Sequence, residues 1–229
     1  MIGRLLLVRH GVTTWNREGR FQGHLDPPLD PLGELEARAV AQRVVREFPG
    51  DIAVASSPLQ RAVATAAILR ESLAADGRPV DVQLEPGLME LGQGAWEGRT
   101  HADLAATDGE RYRAWVATSG WHEPPGGEPA TAAATRAVQA VRGLLAQVDA
   151  GSAETLCCVS HGGILRLIAG RLTGAPDHDA WGLEVDNASL SVLERTASGW
   201  RIALWNDTSH LAPELPADDR RAEGSPRAL

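Results

Sequence analysis

A short apolar run near the N-terminus, Leu5–Val8, ends abruptly in Arg9, His10 and Gly11. Consecutive apolar residues without alternation are typical of a strand buried on both faces, as in a parallel sheet. Ligands of open α/β sheets bind just beyond the carboxyl ends of such strands. We therefore predict that Arg9 and His10 lie in a functional site. There His10 would be a nucleophile and Arg9 would hold an anion, and Gly11 would leave space for the ligand because it has no side chain.

The same pattern returns late in the chain, where a second apolar stretch ends in a histidine and a glycine. Thr155–Val159 precedes Ser160, His161 and Gly162. The carboxyl ends of parallel strands meet at one edge of a sheet. The repetition therefore predicts a second histidine close to His10.

A third apolar stretch, Ile52–Ala55, adds a cation to this edge. It is followed by two serines and a proline, which predict a helix with Ser57 as its cap and Pro58 as its first residue. Arg61 would then lie in the first turn of that helix. Its guanidinium would join His10 at the carboxyl ends of the strands.

A glycine-rich loop over residues 85–99 carries a carboxylate, Glu90, and Glu97 in the same loop competes with it for an acid role. Arginines bind phosphoryl groups through charge-assisted, bidentate hydrogen bonds. His10 could attack phosphorus, and Glu90 could protonate the leaving oxygen and then activate water. The arginines and His161 would neutralise the charge that magnesium neutralises in other enzymes.

Strands and helices alternate along the chain, which predicts an α/β fold. The predicted strands cover 4–9, 52–55, 80–84, 155–159, 189–195 and 200–206, and the predicted helices cover 31–48, 58–74, parts of 100–118, 129–148 and 164–172. We expect a single domain over residues 1–211, with a small helical lid inserted at about 99–128. Residues 212–229 are rich in proline and charge, and we expect them to be a disordered tail.

Composition excludes some classes of function. The net charge of −8 argues against general nucleic-acid binding. All 22 basic residues are arginine, so the chain cannot be a Schiff-base enzyme, a P-loop nucleotidase or a typical protein kinase, each of which needs a specific lysine. No apolar window is long enough for a membrane span, and no signal peptide is apparent, so we expect a cytoplasmic protein. The two cysteines, Cys157 and Cys158, are expected to be buried and unpaired.

Several motifs, in order and at matching spacing, resemble those of the histidine phosphatase superfamily, also called phosphoglycerate mutase-like. The resemblance covers roughly residues 4–210. The motifs are Leu7-Val8-Arg9-His10-Gly11 with Thr13 and Asn16; Phe21-Gln22-Gly23; Asp26 with Pro28-Leu29 and Gly33; Ser56-Ser57-Pro58-Leu59-Gln60-Arg61 with Ala62 and Thr65-Ala66; Glu90-Leu91-Gly92 through Gly94 and Trp96-Glu97-Gly98; Gly126-Gly127-Glu128; and Ser160-His161-Gly162-Gly163 with Arg166.

The resemblance implies a fold and a set of site residues. The fold would be a three-layer α/β/α arrangement with a mostly parallel central sheet. His10 would become phosphorylated and Glu90 would be the proton donor. The expected phosphoryl- and substrate-binding residues are Arg9, Asn16, Gln22, Gly23, Arg61, His161 and Gly162. No cofactor is implied, and a homodimer is left open.

Within the superfamily, phosphatases and cofactor-dependent phosphoglycerate mutases share these residues. The mutases resemble this chain less at 99–128, where they have a longer insertion with basic residues. We therefore predict a phosphatase of a small phosphorylated metabolite, with the mutase as the alternative. One departure is Pro129, where many relatives have serine, and it can replace one helix start with another.

Other phosphate and ester chemistries lack their motifs in this chain. There is no Cys-x5-Arg, no Gly-x-Ser-x-Gly and no His-Glu-x-x-His sequence. His10, Glu90 and His161 could in principle hold a metal, but neighbouring arginines make that place unfavourable for a cation. We predict no metal.

Overall fold

The structure is a computed structural model, and it describes residues 3–118, 120–151 and 153–211. Its strands are β1 Arg4–Arg9, β2 Ile52–Ser56, β3 Val82–Leu84, β4 Thr155–Ser160, β5 Leu190–Thr196 and β6 Gly199–Asp207. Its helices are α1 Thr14–Arg17, α2 Pro31–Glu47, α3 Gln60–Ala75, α4 His101–Thr107, α5 Gly109–Ala117, α6 Ala130–Asp149, α7 Gly162–Thr173 and α8 Asp177–Trp181, with 3₁₀ turns at Pro86–Leu88 and Gly94–Trp96.

The six strands form one mixed sheet in the order β3-β2-β4-β1-β5-β6. The first four strands in this order are parallel, β5 pairs antiparallel with β1, and β6 pairs antiparallel with β5. This confirms the predicted α/β class. The strand that carries the first histidine motif lies between β4 and β5, so it has a hydrogen-bonded neighbour on each side.

Alternate residues of the central strands pack on opposite faces, as expected of strands buried on both sides. Leu5 and Leu7 join the core under α6 and α7, whereas Leu6 and Val8 join the core under α2 and α3. The neighbouring cysteines divide between the two cores in the same way, and both are free and buried. Helices therefore cover both faces of the sheet.

Two helix starts differ from prediction by two residues each, and two short helices were not predicted. Helix α3 begins at Gln60 after Leu59, rather than at Pro58. Leu59 takes the cap position, whereas the hydroxyl of Ser57, the predicted cap, accepts from the imidazole of His161 across the site and from Leu59 N–H. Helix α7 begins at Gly162, two residues before the predicted start. The short helices α1 and α8 were not predicted, and α1 lies within residues 11–30, which were expected to be a loop.

Two further predictions concern the C-terminal tail and the possibility of a membrane-spanning helix. The predicted disordered tail, residues 212–229, lies outside the described residues. Within the described residues, none of the helices combines the length and the apolar character needed to span a membrane.

Candidate active site

The register of the sheet brings three strand ends together. Arg9 at the end of β1 pairs with Ser160 at the end of β4, and Ser56 at the end of β2 pairs with Val159. The residues that follow these strands, His10, Ser57 and His161, therefore lie at the same edge of the sheet. The ring centroids of His10 and His161 are 5.1 Å apart.

His10 is buried, and hydrogen bonds hold both its backbone and its ring. Its carbonyl accepts hydrogen bonds from Ala188 N–H and from the side-chain amide of Asn187, each at 3.1 Å. The ring Nδ1 lies 2.7 Å from the carbonyl oxygen of Gly11. Because a carbonyl oxygen can only accept, Nδ1 carries the proton and donates it. The neutral ring therefore keeps its lone pair on Nε2.

The site also favours this neutral form electrostatically. Burial lowers the pKa of His10 well below its ordinary value, and the positive charges of Arg61 and Arg9 lower it further. The hydrogen bond to Gly11 acts in the opposite direction. At neutral pH the imidazole is therefore uncharged, which a nucleophile requires.

His161 has the opposite tautomer. Nε of Arg61 donates to Nδ1 of His161 at 3.2 Å, and an arginine nitrogen cannot accept. The proton of His161 is therefore on Nε2, which donates to the hydroxyl of Ser57 at 2.8 Å. Burial lowers the pKa of His161 well below its ordinary value, with further lowering by Arg61 and by His10.

Ser57 is a site residue that sequence reasoning treated only as a helix cap. Its hydroxyl oxygen accepts from His161 and from Leu59 N–H at 3.3 Å. The signal was its place directly after a buried strand, at the same level as His10. That position indicates a role in the site better than the serine–proline pattern does.

Arg61 is 1% exposed and lies in the first turn of α3, as predicted. Besides His161, it donates to the carbonyls of Gly23 at 2.9 Å and Leu25 at 3.0 Å. A guanidinium has five N–H donors, so two are left for an anion. Burial lowers the pKa of Arg61 to about 10, so the side chain is still a cation at neutral pH.

Arg9 is the second buried cation. Its Nη1 donates to the carbonyl of Val185 at 2.6 Å, whereas its Nε has no hydrogen-bond partner among the described residues. Burial lowers its pKa, although Glu90 and Asp186 act in the opposite direction. A buried cation with an unused donor is suited to binding an anion.

Glu90 enters the site from the loop between the two 3₁₀ turns and is 2% exposed. Its Oε1 accepts from Leu91 N–H at 3.0 Å, and its Oε2 accepts from Gly163 N–H at 3.2 Å at the start of α7. A Cβ on Gly163 would lie 2.7 Å from Oε1 of Glu90, so this glycine is needed for the close approach. The rival carboxylate, Glu97, instead accepts from backbone amides of His24 and Gln93.

Of the remaining predicted residues, Asn16, Gln22 and Gly23 lie in the segment after β1, and Gly162 lies at the start of α7. The hydroxyl of Thr13 lies 2.9 Å from the side-chain oxygen of Asn16 and 3.2 Å from that of Gln22, and it can donate its single proton to one of them at a time. Gly23 has φ +51° and presents its carbonyl to Arg61. Gly162 begins α7, and a Cβ there would lie 3.4 Å from Nη1 of Arg9. The predicted residues therefore converge on one edge of the sheet.

Comparisons with known proteins agree with this arrangement. Residues 5–208 match the sequence profile of the histidine phosphatase superfamily (branch 1). A glucosyl-3-phosphoglycerate phosphatase from Mycolicibacterium vanbaalenii is 33% identical, over 93% of this chain and 99% of its own length. A metal-independent phosphoserine phosphatase from Arabidopsis thaliana is 34% identical, over 92% of this chain and 84% of its own length.

Relatives with another name are equally similar. A protein named "Probable phosphoglycerate mutase" from Yersinia enterocolitica is 35% identical, over 94% of this chain and 97% of its own length. Among solved structures, a mycobacterial glucosyl-3-phosphoglycerate phosphatase in complex with VO3 has a TM-score of 0.76 and 30% identity, covering 89% of this chain and 98% of its own.

Proposed function

The chain belongs to the histidine phosphatase superfamily, branch 1, and from this premise we propose that it hydrolyses a small phosphorylated metabolite through a phosphohistidine on His10. It is a phosphoric monoester hydrolase, and its relatives include a glucosyl-3-phosphoglycerate phosphatase and a metal-independent phosphoserine phosphatase. The observation that carries the proposal is the tautomer of His10. Its Nδ1–H is engaged by Gly11, so Nε2 is the free nucleophilic atom.

In the first step, we propose that Nε2 of His10 attacks phosphorus while the bond from phosphorus to the ester oxygen breaks. Glu90 gives its proton to that oxygen, so the alcohol leaves neutral. In the second step, Glu90 takes a proton from water, the oxygen of that water attacks phosphorus, and the bond from phosphorus to nitrogen breaks. The products are inorganic phosphate and free His10.

The charge of the transferring phosphoryl group is neutralised by Arg9 and Arg61. Arg9 offers its unused Nε donor, and Arg61 offers the two N–H groups that it does not use in the protein. We propose that a phosphoryl oxygen replaces Ser57 as the acceptor of the Nε2 proton of His161. The N-terminus of α7, beginning at Gly162, adds a positive dipole end to the same place.

In this proposal the leaving group of the substrate lies beside the segment that follows β1. Asn16, Gln22 and Gly23 would contact the substrate there, and the helices within 99–128 would act as a lid. The named substrates of the relatives support a small phosphoester. A cytoplasmic location and a homodimer stay predictions.

Activity without a divalent metal is the first expected result. The purified protein should hydrolyse 4-nitrophenyl phosphate at an unchanged rate in excess EDTA, because arginines rather than a metal neutralise the phosphoryl charge. Vanadate should inhibit it by occupying the phosphoryl site. Release of nitrophenol would be followed by absorbance, and loss of activity on chelation would contradict the mechanism.

The mutase is the second candidate because some relatives are named as mutases. The same preparation should be tested with 3-phosphoglycerate and added 2,3-bisphosphoglycerate. We expect phosphate release to exceed isomerisation to 2-phosphoglycerate. Isomerisation much faster than hydrolysis would favour the mutase.

Replacing Glu90 with glutamine is expected to slow hydrolysis most for substrates whose leaving oxygen must be protonated. A nitrophenolate leaves readily without one, whereas an alkoxide does not. We expect kcat/KM to fall by about 10²-fold for an alkyl phosphate and by much less for 4-nitrophenyl phosphate. Glu97→Gln is the matched control in the same loop. If Glu97→Gln, and not Glu90→Gln, lowers kcat/KM more for the alkyl phosphate than for 4-nitrophenyl phosphate, then Glu97 is the acid.

A further inference from the structure

The loop that carries Glu90 has little regular structure, yet the four consecutive carbonyls of residues 87–90 all accept hydrogen bonds from side chains. The carbonyl of Leu88 accepts from the hydroxyl of Ser160 at 2.7 Å. The carbonyls of Gly87, Met89 and Glu90 all accept from a single side chain, that of Arg136 on α6, at 2.9, 2.8 and 3.0 Å. Arg136 therefore determines where this stretch of backbone lies.

The remaining donors of Arg136 are bound by Glu128, just before α6. Nε and Nη2 of Arg136 each donate to one carboxylate oxygen of Glu128 at 2.7 Å. A guanidinium has five N–H groups, and all five are used here. The bidentate pair fixes the plane of the guanidinium, so its other three donors point at fixed positions. We call this pair of residues the Arg136–Glu128 clamp.

The clamp is attached to the loop at a second point. The backbone N–H of Glu128 donates to the carbonyl of Gly92 at 2.8 Å. The imidazole Nε2 of His24 also donates to the Glu90 carbonyl, at 2.8 Å. The backbone of Glu90 is thus held from α6 and from the loop after β1, while its carboxylate is held by Leu91 and Gly163.

We propose that the Arg136–Glu128 clamp positions Glu90 for proton transfer to the leaving oxygen. This inference rests on the proposed role of Glu90 as the acid. Arg136 is a positioning residue, since each of its five donors binds an acceptor of the protein. Small displacements of an acid from its hydrogen-bonding position reduce proton transfer strongly, because the geometry is needed in the transition state.

The test compares Arg136→Met with Arg142→Met, a matched control on the exposed side of the same helix. We expect Arg136→Met to lower kcat/KM about 10- to 100-fold for glycerol phosphate, whose leaving group needs a proton, and less than about 3-fold for 4-nitrophenyl phosphate. Arg142→Met should change neither. Arg136→Lys keeps the charge without the planar fork and should give an intermediate loss.

A double-mutant cycle separates positioning from a general loss of structure. If Arg136 acts through Glu90, adding Arg136→Met to Glu90→Gln should cause little further loss with glycerol phosphate. Equal losses for both substrates with Arg136→Met, or fully additive losses in the cycle, would overturn the proposal. If Glu90→Gln lowers kcat/KM equally for glycerol phosphate and 4-nitrophenyl phosphate, both the acid role of Glu90 and the role of the clamp are overturned. If Glu90→Gln lowers kcat/KM more for glycerol phosphate but Arg136→Met does not, only the role of the clamp is overturned.

Discussion

Replacement of His10 with alanine is expected to abolish turnover of every phosphoester and to prevent covalent labelling. Alanine offers no nitrogen lone pair, and water cannot take the place of Nε2 against phosphorus in the same geometry. We expect a loss of at least about 10⁴-fold in kcat. The measurement is the transfer of ³²P from a labelled phosphoester to the protein in rapidly quenched samples, with detection under alkaline conditions that preserve phosphohistidine.

The control for this experiment is His178→Ala, which removes an exposed histidine beside Asp179 at the surface. This variant should be labelled and should turn over substrate like the unmodified protein. The His10 variant must also be shown to be folded by its circular dichroism and thermal unfolding. Label that persists on a folded His10→Ala protein would assign the nucleophile to another residue, and His161 would be the first to examine.

Replacement of Arg61 with methionine is expected to cause the second largest loss, about 10³-fold in kcat/KM for 4-nitrophenyl phosphate. Methionine removes the charge and the donors while filling part of the same buried space. Arg61→Lys restores the charge but cannot reach Gly23, Leu25 and His161 together as the planar fork does. Its loss should be smaller than that of Arg61→Met but still clear.

The pH profile of Arg61→Met gives an independent check. Burial is the largest cause of the low pKa of His10, and Arg61 is the next. Protonated His10 is not a nucleophile, so kcat/KM falls as pH drops through that pKa. Removing the cation raises the pKa of His10, and the acid limb of the profile should move toward higher pH. Arg61→Lys keeps the charge, so the acid limb should stay nearly in place. If the acid limb does not move in Arg61→Met, the charge of Arg61 does not lower the pKa of His10 as proposed.

The sequence predicted the strand-end residues well because their positions follow from local patterns. A buried strand needs an apolar run, and a residue that follows such a run lies at the edge of the sheet. His10, Arg61 and His161 could therefore be placed near one another without knowledge of any side-chain contact.

The contacts that depend on side chains distant in sequence were not predictable in the same way. Ser57 meets the imidazole of His161, 104 positions along the chain. Arg136 donates to the Glu90 carbonyl from α6, a helix for which the sequence predicted only its range, 129–148. Nothing in local propensity indicates which arginine of that helix turns toward the loop. The helix start at Gln60 was missed because propensity alone favoured a serine cap and a proline.

The order of the strands has a consequence for how the protein comes to be active. Strand β1 is synthesised before the partners on its two sides, β4 and β5, which follow only after about 150 or more further residues have been made. Until then, the apolar residues Leu5–Val8 lack the neighbours that cover them in the folded sheet. The proposed nucleophile, His10, therefore follows a strand that is made long before the strands that complete its part of the sheet. Such distant pairings make folding slow and expose a strand that favours aggregation.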